Sequence, residues 1–99
     1  MNDESKLLNE LSGMLTQFEE QKQIIYNNYV KMAALVLNGE ITAENEIEKI
    51  MDGLMDFGDD EHFLELYKKL CRYVYNFFPR MVNEHVKMFL KIYGEKGTV

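Results

Sequence analysis

The sequence predicts an all-α fold, a four-helix bundle with a long first helix and three shorter ones. Three observations lead there. Apolar residues recur at steps of three and four with no period-two alternation of the kind a strand shows. Three of the glycines and the single proline fall where helix ends are wanted, at Gly39, Gly58, Pro79 and Gly94. A chain of 99 residues, 46% apolar and 28% charged, has the length of one domain and the composition of a core-forming protein.

Helix one is expected to begin at Asp3 or Ser5, both competent N-caps. Leu8, Leu11, Leu15, Phe18, Ile25, Tyr29, Met32 and Val36 then form a heptad seam, interrupted only by Lys22. Asn38-Gly39 supplies the stop. Helix two is expected from Thr42 or Asn45, with Glu48 placed for a capping box on Asn45. Its apolar face is Ile47, Ile50, Met51, Leu54 and Met55. The segment DFGDDE turns at Gly58, and Asp59 is the expected cap of a third helix running from about Asp60 to Phe78. In that helix Leu70, Val74, Phe77 and Phe78 make one stripe, and Cys71, Tyr75 and Val82 continue a second.

Pro79 breaks α geometry at Phe78 and suits the first turn of helix four, so the two helices meet at a corner. Helix four should reach Tyr93 and stop at Gly94, with Met81, His85, Met88 and Ile92 along one stripe. Residues 1–94 are read as a single helical domain and 95–99 as a frayed tail.

Charge is unevenly spread. Residues 40–65 hold ten acids against Lys49 alone, and residues 66–99 hold seven bases against Glu84 and Glu95. The net charge of −6 argues against broad binding to a nucleic-acid backbone, and helix two is too acidic to serve as a DNA recognition helix. The longest purely apolar run, residues 32–37, is far short of the ~20 residues of a membrane span. MNDESK lacks the order of a secretory signal, and Cys71 stands alone, so a cytoplasmic chain without disulfides is expected.

Asp52, Asp56, Asp59, Asp60, Glu61 and His62 crowd eleven positions. They lack both the calcium-loop order and the Glu-x-x-His pairs of di-iron bundles, so no metal and no cofactor is expected. The five acids form the candidate surface for a basic protein partner, including a nucleic-acid enzyme whose groove they would occupy as a mimic of phosphate.

Arg80-Met-Val-Asn-Glu-His85 resembles the Arg-x4-His signature of HEPN-type ribonucleases, small all-helical domains that often dimerise. That resemblance implies His85 as acid or base, Arg80 as a phosphate stabiliser and Asn83 as a polar assistant. On a straight helix, however, the five-residue offset separates Arg80 from His85 by ~140°, and His85 falls in the apolar stripe.

The lengths do not balance. Helix one would span ~50 Å and its neighbours ~20–25 Å, so either helix one bends near Gly13 or another chain covers the excess. The expectation is a non-enzymatic protein–protein interaction module of the adaptor, regulator or inhibitor type. It is homodimeric through helix one, using Leu11, Leu15, Phe18, Ile25 and Tyr29, with Tyr26 beside them.

Overall fold

The computed structural model describes residues 2–94. It contains four helices, α1 (Asn2–Leu37), α2 (Glu44–Met55), α3 (Glu61–Val74) and α4 (Pro79–Tyr93), and no strand among the described residues. The expected tail, 95–99, lies outside them. Helices α2 and α3 pack on the C-terminal part of α1, α4 packs on α2 and α3, and the rest of α1 projects away. The molecule measures 60 × 30 × 20 Å, and its radius of gyration of 17.2 Å exceeds the ~13 Å of a compact chain this long.

α1 runs unbroken through Gly13, around which there is open space. It begins at Asn2, so Asp3 and Ser5 lie inside the helix rather than capping it, and Asp3 and Glu4 place negative charge in its first turn. Its end follows the expectation. Gly39 takes φ 79° and donates to the Val36 carbonyl at 3.0 Å, while Glu40 N–H reaches the Leu35 carbonyl at 2.9 Å. Those two bonds are the Schellman arrangement, and they satisfy carbonyls that the helix leaves open.

α2 begins at Glu44 behind Ala43, which makes no side-chain cap. The expected Asn45/Glu48 capping box is therefore not the start of the helix. Asn45 already lies within its first turn, because the Ala43 carbonyl accepts from Glu46 and Ile47 N–H, both at 3.1 Å. Ile47, Ile50, Met51, Leu54 and Met55 are all buried, as their spacing predicts. Gly53 sits among them for a steric reason: a Cβ there would run into the ring and hydroxyl of Tyr29 on α1.

Asp60, one residue later than expected, caps α3. Its carboxylate accepts from His62 N–H at 2.9 Å and from Phe63 N–H at 3.4 Å, and Asp59 is left exposed in the turn. The extra residue is used by the turn itself, where Gly58 N–H donates to Met55 and Asp60 N–H to Phe57, both at 3.0 Å. α3 stops at Val74, four residues before Phe78. Asn76 Nδ2 donates to the Tyr73 carbonyl at 3.1 Å and competes there with continued helix. Tyr75 and Phe77 consequently stay exposed, at 49% and 59%, rather than extending a core stripe. The corner at Pro79 is as predicted, with Phe78 off helical geometry and Pro79 at the first position of α4.

On α4 the buried set is Met81, Val82, His85 and Phe89, while Met88 and Ile92 are 46% and 57% exposed. The stripe turns from His85 to Phe89 and Tyr93 because those rings fill the space above Gly58, where an added Cβ would lie 2.6 Å from both. Tyr93 Oη donates to the Met55 carbonyl at 2.7 Å and accepts from Gly58 N–H at 3.3 Å, tying the end of α4 to the α2/α3 turn. Tyr93→Phe removes both bonds and should lower the free energy of unfolding by about 1–2 kcal/mol in urea titration. An unchanged midpoint would show that the hydroxyl contributes nothing to holding the turn.

Candidate functional site

Two places bring together the residues that the sequence singles out: the face of α1 and the polar centre of the bundle. Along α1 one apolar face runs from end to end, but its two halves meet different fates. Beyond Lys22, Tyr26, Tyr29, Ala33 and Val36 turn toward α2 and α3. Tyr26 packs edge-on to Phe63 with ring centres 5.2 Å apart, and Tyr29 does so at 6.5 Å. Before Lys22, Leu7, Leu8, Leu11, Met14, Leu15 and Phe18 have no such cover and are 46–67% exposed.

The heptad seam is displaced in the packed half. Tyr26 and the fully buried Ala33 join the seam residues Tyr29, Met32 and Val36 at the core, while the seam residue Ile25 is 37% exposed. A straight helix drifts ~20° per heptad against a 3.5-residue repeat, a rotation of less than half a residue step over two heptads, enough to bring Tyr26 and Ala33 onto the edge of the facing stripe. Of the five residues expected in self-association, Leu11, Leu15 and Phe18 lie on the open stretch. Ile25 is at its margin, and Tyr29 belongs to the chain's own core.

Lys22 marks the boundary. Its Nζ lies 2.7 Å from Asp60 Oδ2, both side chains being about three-quarters buried. The hydrogen-bonded Asp60 carboxylate raises the Lys22 pKa, and Lys22 with the two capping N–H groups holds Asp60 below the ordinary carboxylate range. A cleft of about 360 Å³ opens beside this pair, lined by Glu19, Lys22, Tyr26, Asp60, His62 and Phe63.

The expected acidic surface divides. Asp60 is committed to Lys22 and the α3 cap, and Asp52 turns toward His85. Asp56, Asp59 and Glu61 are exposed around the α2/α3 turn, beside a second cleft of about 420 Å³ that includes Gly58, Asp59, Glu61 and Tyr93.

His85 is 2% exposed. Its Nδ1 lies 3.0 Å from Tyr67 Oη, and its Nε2 lies 2.9 Å from Asp52 Oδ1. The second distance is that of an ion pair, yet Nε2 is left without a directed hydrogen bond, because the Asp52 oxygen is off the line of the ring N–H. We therefore treat Asp52 as a close electrostatic neighbour and Tyr67 as the true partner. A carboxylate accepts only, so the ring proton belongs on Nε2 and Nδ1 accepts from Tyr67. Burial raises the Tyr67 pKa and keeps that hydroxyl protonated. Burial likewise pushes the neighbouring Cys71 thiol up to about 11, which leaves it unreactive at neutral pH.

This centre joins α3 and α4 through the buried Tyr67 and His85, and Asp52 of α2, 55% exposed, approaches it from the solvent side. Arg80 and Asn83 lie on the exposed side of α4 and His85 on its buried side. Nothing in the sequence marks Tyr67 as the partner of His85, since the two are 18 positions apart on different helices. Lys22 had a signal, as the one charge at a seam position.

The fold and its surfaces define a small all-α helical module. Among the described residues no three His, Cys, Asp or Glu side chains are grouped to hold a metal, and no helix is long and apolar enough to cross a membrane. Comparison with protein-family models, with curated proteins and with solved structures finds no match to this chain.

Two measurements probe these contacts. Tyr67→Phe leaves His85 Nδ1 buried without a partner and should cost about 1–3 kcal/mol of stability by chemical denaturation. For Asp60, Asp60→Asn keeps a capping oxygen and loses the ion pair, whereas Asp60→Ala loses both. Asp60→Ala should be the less stable by about 1 kcal/mol. The depressed Asp60 pKa means that its contribution is present above pH ~4 and is lost as pH falls through the lowered value, so the wild-type advantage over Asp60→Asn should vanish in acid. A difference that persists to pH 2 would mean that the pair's charge is not its source.

Proposed function

We propose that this chain is a non-enzymatic helical interaction module that pairs with a second copy of itself through the N-terminal half of α1. The observation that carries the proposal is the open apolar face of Leu7, Leu8, Leu11, Met14, Leu15 and Phe18 on a helix whose own bundle stops at Lys22. Six such side chains offer on the order of 600 Å² per chain, close to the ~800 Å² that each partner brings to a standard interface. A single helix of this length in water gains little from its backbone alone, so its stability has to come from packing of that face. A second copy presents the same face and leaves no new apolar surface behind, as a self-complementary dimer requires.

The acidic turn supports a second, weaker reading, as the docking point for a basic protein. Asp56, Asp59 and Glu61 are exposed and make no ion pair among the described residues, and Asp59 and Glu61 line a cleft, which suits a lysine or arginine side chain of a partner. The ribonuclease reading has less support, because His85 is sealed in the core behind Tyr67 and Asp52 while a phosphate substrate needs access to its imidazole.

Light scattering over a hundredfold dilution tests the dimer directly. The expected mass is twice the 11.7 kDa of one chain. Replacing Leu11 and Leu15 together by Glu should return it to one chain and reduce the far-ultraviolet helical signal, since the separated arm loses its packing. A single-chain mass for the wild type at every concentration would overturn the proposal.

A further inference from the structure

Resting on that dimer, we infer that the two arms run antiparallel, each ending in the cleft beside Lys22 and Asp60 of the other copy. The face that α1 offers to its own bundle and the face it offers to solvent are continuous, displaced by only ~20° around the helix axis. Beyond Lys22 that face is occupied by α2 and α3 of the same chain. A parallel partner would have to continue along it, with its own α2 and α3 on the same side, so both bundles would claim one space at the dimer axis. Either the pairing stops at once or the bundles separate from α1. An antiparallel partner meets no such conflict, because its helix ends where the bundle begins.

The lengths agree. The free arm, from the first turn to Lys22, spans about 30 Å, and an antiparallel pair centred between Leu11 and Leu15 uses all of it. In that register Leu8 meets Phe18 of the second copy and Leu11 meets Leu15. Met14 lies beside the two-fold axis, next to its own counterpart.

Glu4 and Lys22, the charged positions on the face, then oppose one another. A parallel pairing would instead stack Glu4 on Glu4 and Lys22 on Lys22. Lys22 gives one N–H to Asp60, and an ammonium has two more to offer. The cleft of about 360 Å³ bounded by Lys22, Tyr26 and His62 is the space left for the incoming first turn. In the dimer the bundle of one copy and the arm of the other thus cover successive stretches of a single helix face.

Disulfide trapping on a Cys71→Ser background tests the direction. Mixed Leu8→Cys and Phe18→Cys chains should form a cross-linked heterodimer under mild oxidation, and either chain alone should not, because like positions are ~15 Å apart along the axis. Small-angle scattering of the unaltered dimer gives a second measure without substitutions. Two 60 Å molecules overlapping by ~30 Å should show a maximum dimension of about 90 Å. Cross-linking of Leu8→Cys to itself, or a dimension near 60 Å at dimer mass, would overturn the antiparallel arrangement and leave the dimer standing. Loss of the dimer mass itself would remove both.

Discussion

The governing constraint in this protein is a mismatch of length. α1 has 36 residues, while the other three helices have 12, 14 and 15, and only α2 and α3 pack on it to any extent. Short helices cannot cover a long one, and the sequence does not compensate by making the uncovered stretch polar. It keeps large apolar side chains at three- and four-residue steps out to Leu7. Burial of such side chains is the main favourable term in helix packing. The exposed face is therefore where this molecule departs from the balance of a self-sufficient small bundle, and the functional reading follows from that departure rather than from any catalytic group.

Inside the bundle the same economy of short elements explains the weight carried by a few polar contacts. Asp60 both starts α3 and holds α1 through Lys22, so one carboxylate sets where the third helix begins and where the first helix joins the core. Tyr93 closes the other side of the same turn from the end of α4. Between them Tyr26, Phe57 and Phe63 form an aromatic layer, with Phe57 and Phe63 stacked at 4.5 Å. The turn between α2 and α3 is thereby fixed from α1 and from α4 at once. This gives a domain with few long-range contacts a defined arrangement of its helices.

Much of this was legible in the sequence because it depends on local chemistry. The glycine stop after α1, the buried face of α2 and the proline corner before α4 each follow from residues within one turn of the feature. The failures lie where a distant residue decides between local options. Asp59 and Asp60 are equivalent candidates for a cap until Lys22 selects one. Phe77 belongs to an apolar stripe until Asn76 ends the helix before it. The heptad places Ile25 inward, but a straight helix packed against Phe63 turns Tyr26 and Ala33 inward beside Met32 and leaves Ile25 at the margin. His85 was legible as a core histidine, whereas its partner Tyr67 was not.

The position of Lys22 connects the fold to its proposed use. An ammonium on an apolar face is tolerated only where something satisfies it, and Asp60 does so at the point where the bundle ends. An alkyl residue there would extend the apolar strip without interruption and leave the register of an added helix free to slide along it. With a paired charge at the junction, sliding brings apolar side chains against the ion pair and is penalised, so the arm has a defined end. The same pair leaves the remainder of the strip, from Leu7 to Phe18, as a face of fixed length. A surface bounded in this way specifies a partner's length and register as well as its apolar character, which distinguishes a recognition surface from an aggregation-prone patch.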